Sequence, residues 1–452
     1  MWSERQEYSH SIKSFSLNTL TSIFFIVFVD SALSAQEKQK ISLHNALEIA
    51  KENNLLIKKG KLLQAVTEEE IIEKEELRLP EIDFHSLYSR ITNLTEFKGG
   101  FLKDKAVTRT IPEIYDISSS FRMPVYSGNK INNLIKKAEQ ENEISNIFLE
   151  KAENDVQLQV VASYLGIYKM LELQKIINES IEEERERLKE VSSFKKHGTV
   201  TKDEVLRAEL QLSERQLDSM NNEKNIDIVL HDLKTILQFP EATEFSIDTT
   251  DLLEQEAFLD LEYYHKLALK NEEVRIADQE VEIKKTEVQL AKAGFYPNIS
   301  FFGNYNLRYP NYMFFPPDPY LYSLGQIGFE ATFNISGLYK NKSRVQLAKA
   351  KMEAQENERN MVKDEMSDKV FKQYTEYKEI TDKFKVTDKA VLLATENYRI
   401  VKLKYLNQLA LVTEMVDADN SLIQAKFNQI ATRIDAVMKH YEILHTAGQL
   451  TK

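Results

Sequence analysis

From about Leu338 to Asn407 the chain runs without a proline or a glycine, and apolar residues recur every seventh position: Val370, Tyr377, Phe384, Val391, Tyr398 and Tyr405. Ile380, Ala394 and Val401 fill the companion seam. Such a heptad marks a helix packed lengthwise on other helices, and about 70 residues at 1.5 Å rise make a rod of roughly 105 Å. No globular domain needs a helix of that length. A second long run ends at His197 and keeps the spacing at Val160, Ile167, Ile181 and Leu188, with Met170, Ile177 and Val191 beside them. Gly198 breaks it, and a further helix is predicted from Thr201 to about Gln238, closed by Phe239-Pro240.

Ahead of each long run the period changes to two. Ile327, Phe329, Ala331, Phe333 and Ile335 alternate with Gly328, Glu330, Thr332 and Asn334, which predicts a strand over about 324–335. Similar alternation predicts strands over about 81–91 (Ile82, Phe84, Tyr88), 115–125 (Tyr115, Ile117, Phe121, Met123) and 298–308 (Ile299, Phe301, Tyr305). Residues 92–114 and the aromatic stretch from Tyr309 to Tyr322 read as loops. Strands of about 9–12 residues with one apolar face suit a tilted crossing of a bilayer, although a half-buried soluble sheet would alternate too. Phe301, Tyr305, Phe329 and Phe333 are expected to face lipid, with Ser300, Asn304, Glu330 and Asn334 lining a lumen. Four strands cannot close a barrel, and an open edge in lipid leaves backbone groups unsatisfied, so further copies must complete it. Two copies would give a lumen packed with side chains and three a water-filled pore. The alternation does not choose between them.

The order helix–strand–strand–long helix–turn–helix occurs twice. Asn54 lies 26 residues before Pro80 and Asn271 lies 26 before Pro297, and Pro80-Glu81-Ile82-Asp83-Phe84 matches Pro297-Asn298-Ile299-Ser300-Phe301. Duplication at this period is a structural signal. The expected fold is therefore mainly α with a small membrane β-barrel. Its first repeat spans 36–255 with a helix hairpin at about 128–238, and its second spans 256–452 with a hairpin at about 338–447. Arg5 and Lys13, the apolar run Leu20 to Val29 and the small residues Ser31 to Ala35 read as a signal peptide over 1–35.

Composition narrows the function. Charged residues make up 29% of the chain, with only 12 glycines and 9 prolines, which favours long solvated helices. A net charge of −12 argues against nucleic acid. The absence of cysteine removes disulfides and thiolate metal sites. Eight scattered histidines and no compact catalytic motif argue against an enzyme, and no cofactor is expected. His197 has no partner at metal-ligand spacing.

Two turns carry a resemblance. Gly198-Thr199-Val200-Thr201-Lys202-Asp203-Glu204-Val205-Leu206 and Tyr405-Leu406-Asn407-Gln408-Leu409-Ala410-Leu411-Val412-Thr413-Glu414-Met415-Val416-Asp417 resemble the helix-turn-helix tips of the outer-membrane efflux protein family, the TolC-like trimeric channel-tunnels. The resemblance covers about Ile41 to Gly448. Gln408 stands where the family usually has glycine, and Leu411 where it has a small hydroxyl. The resemblance implies a homotrimer whose twelve-stranded barrel sits in outer-membrane lipid and continues into a periplasmic α-helical tunnel. It implies an exit duct in efflux or type I secretion, passing on what an inner-membrane RND or ABC pump delivers through a periplasmic adaptor (a membrane fusion protein). It makes Gly198, Thr199, Val200, Thr201, Leu409, Ala410 and Leu411 the adaptor-docking tips. Glu414 and Asp417, three apart and so on one helix face, become the aperture. Tyr405, with Asp203 and Glu204, matches the latch that holds the aperture shut, and Ala410 replaces the latch arginine. Thr201 is expected to cap the returning helix, the run Thr201-Lys202-Asp203-Glu204 being also a capping box. The rival reading is a secreted or periplasmic coiled-coil scaffold or adaptor without a pore.

Overall fold

Asn54 and Asn271 show why the chain is built twice. Each caps a helix of 22 residues, Leu55–Glu76 and Glu272–Ala293. The Asn54 side chain accepts the Leu56 N–H at 2.8 Å, and that of Asn271 accepts the Val274 N–H at 3.1 Å. Their amide nitrogens donate to the carbonyls of Ile236, at 3.0 Å, and Thr446, at 3.3 Å, in the last turns of two other helices. One amide thus satisfies a donor at one helix start and an acceptor at another helix end.

The computed structural model describes residues 39–250, 252, 258–314 and 316–450. The expected signal peptide and the repeat boundary at 255–256 lie outside the described residues. The chain divides into Met1–Gln39 and Lys40–Lys452. In order, the elements are β1 (Gln39–Ile41), α1 (Leu43–Asn53), α2 (Leu55–Glu76), β2 (Glu81–Arg90), β3 (Leu94–Phe97), β4 (Lys105–Thr108), β5 (Glu113–Tyr126), α3 (Lys130–Lys196) and α4 (Lys202–Leu237). There follow β6 (Phe245–Ile247), α5 (Leu261–Ala268), α6 (Glu272–Ala293), β7 (Asn298–Tyr309), β8 (Tyr322–Thr332), α7 (Gly337–Leu406) and α8 (Val412–Thr446). Two details differ from expectation. Residues 92–114 are not plain loop but hold the antiparallel hairpin β3–β4, with Leu94 opposite Thr108. The fourth strand stops at Thr332, because the Asn334 side chain accepts the Gly337 N–H at 3.3 Å and so serves the start of α7. Phe333 and Asn334 therefore lie just beyond the strand.

β2, β5, β7 and β8 form one antiparallel sheet in that order. The registers Ile82↔Phe121, Met123↔Phe301, Phe121↔Gly303, Phe301↔Phe329 and Gly303↔Ile327 put the apolar set on one face. Phe121, Phe301 and Phe329 form a ladder across it, with ring centroids 5.3 and 5.2 Å apart. Gly303 is required there, since a Cβ would run into the Phe121 ring. Asp116, Arg122, Ser300, Asn304, Arg308 and Glu330 occupy the opposite face, where Arg122 pairs with Glu330 and Arg308 reaches Asp116 at 3.2 Å. The apolar face has no cover: Phe84 is 74% exposed and Phe329 71%. The edges β2 and β8 each have one strand neighbour.

The heptad seams lead into three buried clusters. Val160, Tyr164 and Ile167 of α3 pack with Ala46 and Ala50 of α1 and with Leu233 and Leu237 of α4. The Tyr164 hydroxyl lies 2.8 Å from the Ile41 carbonyl and 2.6 Å from that of Asp248. The second repeat builds its counterpart from Val370 and Tyr377 of α7, Tyr264 and Ala268 of α5, and Ile443 of α8. Complete burial of such side chains contributes about 1.5–3 kcal/mol each. The duplication is uneven in one place. α6 is packed between α3 and α7, whereas α2 packs on α3 with no comparable second long helix among the described residues. Leu55, Leu62 and Leu63 of α2 are left exposed, and Phe148 of α3 beside them.

Candidate functional site

The third cluster joins the two hairpins near their turns. Val191, Val205 and Ala208 pack with Tyr398, Tyr405, Val412, Met415 and Ala418. The turns themselves superimpose bond for bond. After α3, the Gly198 N–H donates to the Lys195 carbonyl at 3.0 Å and the Thr199 N–H to that of Phe194 at 3.0 Å. After α7, the Gln408 N–H donates to the Tyr405 carbonyl at 2.9 Å and the Leu409 N–H to that of Lys404 at 2.8 Å. This closure needs a left-handed residue, and it falls on Gly198, at φ +77°, and on Gln408, at φ +62°. Glutamine thus holds a backbone conformation that costs an L residue about 1–2 kcal/mol.

The expected docking residues are not equally free. Gly198, Thr199, Thr201, Leu409 and Leu411 are exposed, Leu409 to 77%. Val200 and Ala410 are half-buried against the tip cluster. The capping expected of Thr201 is absent: it stands at the N-cap of α4 with extended backbone, but its hydroxyl donates to Asp203 instead. Asp203 also faces Arg207 of its own helix at 3.9 Å. Glu414 and Asp417 lie together on the exposed face of α8, opposite Met415, Ala418 and Asp419. Glu414 Oε1 accepts the Leu411 N–H at 3.4 Å, the part of a helix-start carboxylate.

The latch bond expected between Tyr405 and Glu204 is not formed in this structure. The Tyr405 hydroxyl is buried without a hydrogen-bond partner among the described residues. Burial pushes it up to about 12, and the nearby Glu204 charge adds to the rise. A tie between the hairpins lies one heptad back, where the Tyr398 hydroxyl donates to Glu183 Oε2 at 2.7 Å. Beside it Glu184 and Arg187 of α3, Arg215 of α4 and Asp419 of α8 form a buried ionic cluster. None of these was singled out from the sequence. The available signal was a missing member of the companion seam, since Glu184 stands where Met170, Ile177 and Val191 are apolar. Among the described residues, no helix is long and apolar enough to cross a membrane, and no cluster of ligating side chains could hold a metal ion.

The sheet, the paired hairpins and the two turns together make a fold that solved outer-membrane channels share. No family model and no curated relative matches the chain. Solved structures do. The Campylobacter jejuni CmeC outer membrane channel aligns over 96% of this chain and 94% of its own, at 15% identity and a TM-score of 0.74. The open state of the Neisseria gonorrhoeae MtrE outer membrane channel aligns over 90% and 89%, at 15% identity and 0.71. The Vibrio cholerae outer membrane protein VceC aligns over 90% and 96%, at 12% identity and 0.72.

Proposed function

We propose that the chain is the outer-membrane exit channel of a tripartite efflux or type I secretion system, working as a homotrimer. The observation that carries this is an open sheet with one uncovered apolar face, one charged face and two unpaired edges. Lipid is the medium that suits the first face, and water in a lumen suits the second. Edges in lipid must be closed, and three copies of four strands make a barrel of twelve, about wide enough for an aqueous pore. The helices support the same assembly. The α7 of a second copy, laid on α2 as α3 is laid on α6, would cover the exposed leucines of α2. The channel is passive. A pump in the inner membrane selects the substrate, and a periplasmic adaptor docks at the tips around Thr199 and Leu409.

Three measurements test this. The detergent-solubilised protein should have the mass of three chains. In a planar bilayer it should conduct ions. In cells, Thr199→Glu with Leu409→Glu should abolish export while leaving the trimer intact. A soluble monomeric protein without conductance would refute the channel, and normal export in the double variant would refute docking at these turns.

A further inference from the structure

Glu184 has no exposed surface, Arg187 is 4% exposed and Asp419 2%. Arg187 Nη1 donates to Glu184 Oε1 at 2.7 Å. From α4, Arg215 Nη2 lies 4.0 Å from Asp419 Oδ2 and donates to Asn420, while its Nη1 donates to Asp218 at 3.2 Å. From α7, Tyr398 donates to Glu183. Arg187 of α3, Arg215 of α4 and Asp419 of α8 act on Glu184 directly, and Glu183 of α3, Asp218 of α4 and Tyr398 of α7 complete the cluster around them. Four carboxyls, that of Asp218 half-exposed at the rim, meet two guanidiniums. Glu184 Oε2 and Asp419 Oδ2 are both fully buried with no hydrogen-bond donor among the described residues, yet the two carboxyl groups lie within hydrogen-bonding reach of each other. Two carboxylates cannot bond; a single proton between them satisfies both and removes one negative charge from the buried part of the cluster. Burial raises both carboxyls, and of the two Glu184 has no exposed surface at all. Burial pushes its carboxyl up to about 7, Arg187 pulls it back, and Asp419 adds to the rise.

We propose that this cluster is a proton-dependent clasp, which holds α8 against α3 and α4 while Glu184 shares a proton with Asp419 and loosens when the proton leaves. Its effect on a channel mouth rests on the function proposed above; the clasp itself does not. The sign follows from comparison with separated hairpins, where a solvated Glu184 titrates near the ordinary 4.5. The clasp is at full strength below that pH and weakens as pH rises towards about 7, where the buried carboxyl ionises. Across that range the ratio of clasped to released hairpins falls by up to about two orders of magnitude.

The test is hydrogen exchange of the full chain in detergent at pH 5 and pH 8, corrected for the intrinsic pH dependence of exchange. Peptides around Glu184 and Asp419 should open at least tenfold more at pH 8, while a peptide around Val160 should not change. Glu184→Gln is neutral and brings its own N–H to Asp419, so it should keep the low-pH protection at both values. Equal opening of the wild type at both pH values overturns the clasp, as does a wild-type response in Glu184→Gln. Opening of Glu184→Gln at both values overturns it too, by making Glu184 an ionised partner of Arg187. Loss of conductance with an intact exchange pattern would count against the channel and leave the clasp standing.

Discussion

Tyr398 and Tyr405 occupy the same seam of α7, seven residues apart, and the structure gives their hydroxyls opposite values. Tyr398 donates to Glu183 at 2.7 Å, and the hydroxyl of Tyr405, a residue 5% exposed, has no hydrogen-bond partner among the described residues. Replacing either by phenylalanine keeps the ring and removes only the oxygen. At Tyr398 the loss is a hydrogen bond to a charged acceptor, about 1.5–3 kcal/mol, and the lower end applies because Glu183 is only half-buried and water can take over. At Tyr405 the change removes an unsatisfied buried group, whose burial costs about 1–3 kcal/mol, so the variant should match or exceed the wild type in stability. Hydrogen exchange at neutral pH in peptides covering 394–406 reads both. Tyr398→Phe should raise local opening about tenfold, since 1.4 kcal/mol is one decade, and Tyr405→Phe should leave it unchanged or lower it. If Tyr405→Phe opens the hairpin as much as Tyr398→Phe does, the Tyr405 hydroxyl has a partner such as Glu204, and the latch expected from the sequence is restored.

The remaining expectations concern the sheet, the turn and the aperture. Phe329→Lys, on the uncovered apolar face, should destabilise the membrane-inserted protein by about 2–4 kcal/mol in urea unfolding, and Asn304→Lys on the opposite face by much less; equal costs would mean that the faces are assigned wrongly. Gln408→Gly relieves the left-handed residue and should stabilise the protein by roughly 0.5–1 kcal/mol after the extra chain entropy of glycine is counted. Gly198→Gln should cost a comparable amount, because a Cβ there meets no atom within 4 Å and only the backbone resists; a destabilising Gln408→Gly would refute this. Replacing Glu414 and Asp417 together by alanine should weaken cation selectivity and block by multivalent cations in single-channel recordings. Unchanged selectivity would remove both residues from the aperture.

Periodicity carried most of the fold. The strict alternation of the strands placed Phe301 and Phe329 on one face and Asn304 and Glu330 on the other, because a pleated strand has no other way to segregate them. Local rules did less well where side chains had a choice. Thr201 has the sequence of a cap, but its hydroxyl turns to donate to Asp203 two residues on and accepts no N–H of the helix start. Leu94 to Thr108 carries too few residues on each side of Gly99-Gly100 for its alternation to stand out, yet backbone pairing alone closes a hairpin of four residues per strand.

The site was half legible, and the seams of α3 show why. Each breaks once. Gln174 interrupts Val160, Ile167, Ile181 and Leu188, and Glu184 interrupts Met170, Ile177 and Val191. In sequence both read as lapses in an apolar pattern. In the structure Gln174 donates to Ser219 at 2.7 Å and accepts from Asn222 at 2.8 Å, and Glu184 anchors the ionic cluster. A polar group at a seam position is tolerable only in the register where its partners arrive, since any other leaves it unsatisfied at about 1–3 kcal/mol. Sliding α3 by one heptad against α4 would keep the aliphatic contacts almost intact and strand Gln174. The aliphatic residues therefore supply attraction along the whole hairpin, and the two gaps choose where it stops. The gaps could be read from α3 by itself. Their partners could not, because Ser219, Asn222, Arg215 and Asp419 sit on other helices, and only the folded hairpins bring them to the same place.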